Sequence, residues 1–130
     1  MLTILPIKEK GRLQEICKEV PGAENTVDVL LMKDEEEELG YVVVDIKASV
    51  LRMISMKVPG EEFKDPLTME QRFCADSLMR AAASYGANNG AYKIESHIPQ
   101  INHMLQGLGW VLEDDIAFTE LKNIVKFVKK

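Results

Sequence analysis

The sequence contains few of the features that mark secreted or membrane-spanning proteins. Its two cysteines, Cys17 and Cys74, fall on apolar faces of predicted helices, so we expect buried free thiols in a reducing cytoplasm rather than a disulfide. No apolar run approaches the roughly 18–20 residues that span a membrane. The N-terminal segment MLTILPIKEKGR places its lysines after its apolar residues and lacks a small-residue cleavage site, which argues against a signal peptide. We therefore expect a cytoplasmic protein.

Positive charge is also scarce. Lys and Arg number 16 against 21 Asp and Glu, which gives a net charge of −5. A nucleic-acid partner held through its phosphates requires a basic surface, so we expect no such partner. The sequence contains no CxxC or HExxH motif and no paired histidines at ligand spacing, so we expect no metal site either.

Apolar residues are plentiful enough for a core, at 46% of the chain. A length of 130 residues favours one domain, since domains most often contain about 100–150 residues. No internal repeat or low-complexity linker interrupts the chain, so we expect a single domain over residues 1–130.

The segment 65–95 predicts a long helix that ends at a turn and leads into a buried strand. Pro66 is compatible with a first helical turn, and Thr68 with Gln71 has the form of a capping box. Gly90, after two asparagines, provides the turn that ends the helix. The predicted packing face consists of Cys74, Leu78, Ala81 and Tyr85, and the small residues Ala75 and Ala82 beside it should let the helix lie close to a sheet.

The residues before this helix predict a strand, a helix and a three-stranded meander. The predicted strands are 2–7, 27–33, 39–46 and 49–58, and the predicted helix is 8–20, ending at Pro21 and Gly22. The meander strands are joined by an acidic loop at 34–38 and a tight connection at 47–48, so they should be antiparallel. A strand, a helix and a further strand should then form a crossover with parallel strands.

The C-terminal region predicts a short helix over 100–106 and a strand over 110–112. Two interpretations of the tail remain open. Leu121, Ile124, Val125 and Val128 fit a helix whose polar side carries Lys122, Lys126, Lys129 and Lys130, and a strand over 116–121 could precede it. The fold class is therefore α/β, a mixed sheet of about six strands with three to four helices on its faces.

In this element order the sequence resembles the GNAT superfamily of acyl-CoA N-acyltransferases. The resemblance rests on LGYVVVDI (39–46), LRMISMKV (51–58), SLMRAAASYGANNGAYKIE (77–95) and HMLQGLGWVLED (103–114). The third segment resembles the long helix of that family, which ends in a small-residue turn before the fifth strand. The fourth resembles its short helix, which ends in a Leu-Gly-aromatic turn.

The resemblance implies acetyl-CoA as the cofactor. Its pantetheine arm would enter where the fourth and fifth strands separate, beside Met56 and Val58. Its pyrophosphate would bind the unpaired N–H groups at the start of the long helix, because a helix N-terminus attracts anions. Gln71, Arg72 and Ala75 are the residues that the resemblance places there.

The phosphate signature of the family, Q/R-x-x-G-x-G/A, aligns with residues 70–75. Ala75 matches its last position, whereas Glu70 and Phe73 differ from it. A shifted register would use Arg72, Ala75 and Ser77 instead. The connection into the helix is acidic, and carboxylates beside a pyrophosphate would repel it by about 1 kcal/mol each.

Many members of the family use a tyrosine on the short helix and an asparagine after the fifth strand. These positions fall on Leu105 and Ile98. His97 directly follows the fifth strand and is our candidate general base, because imidazole is a proton acceptor at neutral pH. Glu95 is the second catalytic candidate. Other polar residues nearby are Gln100, Asn102 and His103, the last expected on the surface.

Three polar residues on the preceding strands are further candidates. Asp45 could help to activate an amine, although Asp45 and Glu95 could instead pair with Lys93 or Arg52. Arg52 and Ser55 should point to opposite faces of their strand, and Arg52 could also pair with the acidic loop.

Two functions follow from the resemblance. The first is an N-acetyltransferase in which a small-molecule amine or peptide attacks the acetyl thioester directly, aided by backbone N–H groups on the carbonyl oxygen. The second is a catalytically inactive module with the same fold, which binds a ligand or forms a homodimer through an exposed strand edge.

Overall fold

The strands and helices follow the predicted order, with one strand more than the six expected. The computed structural model describes residues 1–20 and 27–125. The strands are β1 (Leu2–Pro6), β2 (Asp28–Asp34), β3 (Glu37–Lys47), β4 (Val50–Lys57), β5 (Lys93–Ser96), β6 (Val111–Glu113) and β7 (Ile116–Glu120). The helices are α1 (Lys10–Glu19), α2 (Met69–Asn88) and α3 (Pro99–Gly107), and a 3₁₀ turn follows β7 at Leu121–Asn123.

All seven strands form one sheet in the order β1-β2-β3-β4-β5-β7-β6. β4 and β5 are parallel and every other neighbouring pair is antiparallel, so the mixed α/β fold class is confirmed. The β3–β4 hairpin turns at Ala48 and Ser49, which both have positive φ, one residue later than predicted. Within the described ranges, no helix combines the length and the apolar character needed to cross a membrane.

α2 starts later than predicted. Pro66 lies before the helix rather than in its first turn, and Thr68 is the N-cap. The capping box is confirmed, because Thr68 and Gln71 exchange both of its hydrogen bonds at 3.1 Å. The turn at Gly90 is confirmed as well, with a φ of +87°.

The buried face of α2 agrees in part with the prediction. Cys74 and Leu78 are buried as expected, and so are the flanking Ala75 and Ala82. Ala81 and Tyr85 are only half-buried, whereas Met79 and Gly86 are buried as well. Small residues on this face bring the helix close to the sheet. A Cβ atom at Gly86 would lie 3.0 Å from the Leu51 side chain on β4, so this position requires glycine for close packing.

The apolar side chains form one core on each face of the sheet. α2 and α3 cover one face, and part of the other is covered by Ile16 of α1 and by Val20, which directly follows this helix. Both cysteines are free. Cys74 is buried, which raises the pKa of its thiol, whereas Cys17 is only half-buried.

A strand precedes Leu121, as one of the two interpretations of the tail predicted, since β7 occupies Ile116–Glu120. The predicted end of α1 at Pro21 and Gly22 lies outside the described residues. The same applies to Lys126, Val128, Lys129 and Lys130 of the predicted C-terminal helix.

Candidate functional site

β4 and β5 separate part of the way along the sheet. Their pairing ends at Met53 and Ser96, where the N–H of His97 donates to the carbonyl oxygen of Met53 at 2.9 Å. Beyond this point the chain leaves the sheet and enters α3 at Pro99, while β4 continues to Lys57. Among the described residues, the edge of β4 beyond Met53 therefore has no strand partner on this side, and we refer to this separation as the gap between β4 and β5.

A β-bulge in β4 lies at the point where the two strands separate. Val43 and Val44 of β3 pair with Ser55 and Met53, so Ile54 is an extra residue. A bulge bends its strand and changes which side each following residue faces. The prediction that Arg52 and Ser55 point to opposite faces is therefore wrong, because both pair with alternate β3 residues on one face.

A groove runs between the start of α2 and α3, on the sheet face that these helices cover. Its volume is about 280 Å³, and it is lined by Asp65, Arg72, His103, Met104, Gly107 and Leu108. Nδ1 of His103 and Oδ2 of Asp65 lie 3.1 Å apart, so this contact joins α3 to the connection before α2. His103 is exposed, as predicted. Met56 and Val58 are buried members of the core on the same face.

The capping box occupies much of the N-terminus of α2. It satisfies the N–H groups of Thr68 and Gln71, and the N–H of Arg72 already bonds within the helix. The N–H groups of Met69 and Glu70 are the first-turn donors that have no partner in the capping box.

The Gln71 side chain connects the helix to the preceding loop. Only 3% of Gln71 is exposed, and its Nε2 donates to the carbonyl oxygens of Pro59 at 3.1 Å and Glu62 at 2.7 Å. Its Oε1 accepts from Thr68. Every polar atom of this side chain therefore holds the loop or the cap.

The segment aligned with the phosphate signature lies entirely inside α2. Phe73 is 61% exposed and projects into solvent, whereas Ala75 is fully buried against the sheet. Arg72 lines the groove. Of the residues aligned with the signature, Arg72 is thus the one that lines this groove.

On the opposite face of the sheet, charged side chains lie side by side on β3, β4 and β5. Arg52 donates two hydrogen bonds to Asp45. Its Nε lies 2.7 Å from Oδ1, and its Nη2 donates to Oδ2. This contact raises the pKa of Arg52, against the effect of burial. Arg52 therefore pairs with Asp45 and not with the acidic loop, whose Glu38 pairs with Arg12 at 2.8 Å.

Glu95 and His97, the two catalytic candidates, are in contact. Nε2 of His97 lies 3.3 Å from Oε1 of Glu95, and Nζ of Lys93 lies 3.5 Å from Oε2. Lys93 also sits 4.4 Å above the ring centre of Phe118. The spacing Lys93, Glu95, His97 in a strand already places three ionisable groups on one face, whereas no sequence signal points to Phe118.

The positions that the family gives to tyrosine and asparagine are part of the core. Leu105 and Ile98 are both buried in the cluster on the helix-covered face. Asn102 is buried too, and its Nδ2 donates to the carbonyl oxygen of Asp115 at 2.8 Å, so it holds the β6–β7 turn. In the part of the chain that the structure describes, no three His, Cys, Asp or Glu side chains are grouped as metal ligands.

Several solved structures resemble this one over almost its whole length. A Desulfovibrio desulfuricans protein assigned to the GNAT family as an acetyltransferase aligns with a TM-score of 0.64 and 8% identity, covering 93% of this chain and 99% of its own. The Escherichia coli ribosomal-protein-S18-alanine N-acetyltransferase gives 0.62 and 11%, covering 93% and 94%. A Bacillus subtilis acetyltransferase in complex with CoA gives 0.59 and 13%, covering 92% and 99%.

By sequence, no model of a protein family matches this chain, and no curated protein matches it either. The structural similarity shows that the chain has the GNAT fold, as its sequence resemblance implied. The individual site residues remain predictions.

Proposed function

We propose that this protein is an acyl-CoA-dependent N-acetyltransferase that acts on the amine of a small molecule or peptide. The observation that carries this proposal is the separation of β4 from β5 at Met53 and Ser96, with a bulge at Ile54. The separation leaves backbone N–H and C=O groups of β4 without a strand partner on that side. Such groups can pair with the amide groups of a pantetheine arm and polarise a thioester carbonyl.

The residues present suit the pantetheine arm of acetyl-CoA better than its pyrophosphate. The unpaired edge of β4 and the neighbouring Met56 and Val58 suit an extended, mostly apolar arm. For the pyrophosphate, the chain offers the N–H groups of Met69 and Glu70 together with the Arg72 guanidinium. Glu70 and Asp65 oppose an anion there. We therefore expect binding that is weaker than a glycine-rich phosphate loop would provide.

His97 and Glu95 would act on the acceptor amine. The N–H of His97 bonds to Met53, so His97 lies where the two strands separate, and its side chain contacts Glu95. His97 would take the proton that the amine loses as it attacks. Acetyl-CoA supplies an acetyl thioester, so that a C–N bond forms, the C–S bond breaks, and the thiolate leaves and is protonated by solvent.

A second candidate is a module with this fold that binds a ligand or partner without catalysis. Two observations favour it. The first turn of α2 is capped by its own side chains, and Leu105 occupies the position at which the family has a proton-donating tyrosine. Homodimer formation through an edge strand belongs to this alternative.

Calorimetric titration with acetyl-CoA and with free CoA separates the two candidates. We expect both to bind, and Arg72→Gln to weaken the Kd about tenfold, since one charge-assisted contact contributes about 1.4 kcal/mol. Arg80→Gln is the matched control, because Arg80 lies two turns further along α2 and pairs with Asp76. Absence of binding at millimolar cofactor would contradict the transferase and favour the second candidate.

A further inference from the structure

The charged side chains of β3, β4 and β5 form one continuous row, defined here as Asp45, Arg52, Glu95, Lys93 and His97. Arg52 is directly opposite Asp45 on one side and Glu95 on the other. Residues that are opposite each other in neighbouring strands share a face, so Arg52 lies between two carboxylates. The row crosses the sheet and ends beside the gap between β4 and β5.

We infer that Asp45 and Arg52 are positioning residues that keep Glu95 against His97. This inference rests on the proposed function, in which His97 accepts the proton of the acceptor amine. Neither Asp45 nor Arg52 needs to touch a substrate in this arrangement. Their contribution is to determine which partner the Glu95 carboxylate has.

The contact between Asp45 and Arg52 has the geometry required for this role. The side chain of Asp45 is 5% exposed and that of Arg52 is 29% exposed, so the pair is shielded from water on its β3 side. A planar guanidinium that donates two N–H groups to one carboxylate is held in a fixed orientation. Arg52 therefore directs its strongest hydrogen bonds to Asp45 and leaves the oxygens of Glu95 to other donors.

Glu95 in turn determines the orientation of the His97 ring. Its Oε2 faces Lys93, and its Oε1 faces Nε2 of His97 at 3.3 Å. A carboxylate accepts a hydrogen bond, so the proton of the neutral imidazole belongs on Nε2 and the lone pair on Nδ1. Nδ1 is then the atom available to a substrate amine.

Other charged residues share this face. Lys47 lies two residues beyond Asp45 on β3, and Lys57 lies at the far end of β4. Glu120 lies opposite Lys93 on β7, where it pairs with Lys122 at 3.3 Å. The variants below leave all of these charges in place.

The test reads which ring nitrogen of each neutral imidazole carries the proton, from the nitrogen signals by NMR in the whole protein at about pH 9. The chain has two histidines, His97 and His103, so His97→Gln assigns both sets of signals and His103 serves as an internal control. In Glu95→Gln the share of His97 with the proton on Nε2 should fall, because the ring loses the carboxylate that accepts from Nε2. In Asp45→Asn it should fall as well, because Arg52 is then free to bind Glu95. Asp76→Asn, which removes the partner of Arg80, should change neither ring.

Arg52→Lys is the second variant, in case Asp45→Asn does not fold. It keeps the charge but loses the two-pronged contact, so we expect a smaller shift in the same direction. A proton position on His97 unchanged in Asp45→Asn and in Arg52→Lys would overturn the inference, even if thermal stability falls, because that pattern indicates a structural pair alone.

These measurements need no cofactor, so the inference and the proposed function can fail separately. If acetyl-CoA binds and turnover is measurable, kcat should fall in each variant in step with the share of His97 that carries its proton on Nε2. Turnover that does not follow this share would exclude His97 as the base while leaving cofactor binding intact.

Discussion

Polar side chains are used differently in the two regions that make up the candidate site. At the start of α2, Thr68 and Gln71 bond to the backbone of their own cap and loop. On the opposite face, Asp45, Arg52 and Glu95 interact with one another across strands. The first arrangement satisfies backbone groups that would otherwise be available to an anion. The second leaves charged atoms accessible beside the gap in the sheet.

The comparison indicates where chemistry can occur in this chain. The capping box stabilises the helix and the preceding loop, but it leaves few backbone N–H groups free to bind a phosphate. A row of charged side chains with one buried end and one accessible end can orient a reacting group. Under the proposed function, the face that carries Glu95 and His97 therefore offers more of what a transferase requires than the start of α2 does.

We expect the largest change in stability from a substitution at the buried end of the row of charged residues. Arg52→Leu should lower the free energy of unfolding by about 3 kcal/mol at neutral pH, because Asp45 is then a buried carboxylate without a partner. Urea denaturation at neutral pH measures this loss.

The controls for this prediction are an exposed pair and a double variant. Arg80→Leu should cost at most about 0.5 kcal/mol, because its pairing with Asp76 is exposed. Arg52→Leu combined with Asp45→Leu should recover most of the stability. An Arg52→Leu protein as stable as Arg80→Leu would contradict the assignment of Asp45 as a buried, paired charge.

The cap should give an intermediate effect. Gln71→Ala removes the hydrogen bonds to Pro59, Glu62 and Thr68, and should destabilise the protein by about 2 kcal/mol. Gln106→Ala, at an exposed position on α3, is the control and should have little effect. Equal stability of the two variants would show that the loop does not depend on the Gln71 side chain.

The smallest effect concerns the charge beside the phosphate donors. Under the proposed function, Glu70→Gln should tighten CoA binding by up to about fivefold, equivalent to about 1 kcal/mol, and more strongly at low salt. Glu113→Gln on β6 should leave binding unchanged. A Kd that does not respond to Glu70→Gln at low salt would mean that the pyrophosphate is not bound at the start of α2.

Local sequence patterns predicted most of the fold. The capping box at Thr68 and Gln71 and the turn at Gly90 depend on neighbouring residues, and the structure confirms them. The parallel pairing of β4 and β5 follows from chain connectivity. The packing face of α2 was predicted correctly at Cys74 and Leu78 and at the flanking alanines, Ala75 and Ala82. It was wrong towards the C-terminal end, where Ala81 and Tyr85 are only half-buried.

The sequence by itself determined the element order, the strand alternation that puts Glu95 and His97 on one face, and the helix cap. Tertiary structure decided which groups meet. The bulge at Ile54 reversed the expected side of Ser55, and the pairing register put Arg52 between Asp45 and Glu95. The physical reason is that caps and alternation depend on residues within one turn or one strand. Register and bulges depend instead on how separate strands pack and pair, which no local pattern encodes.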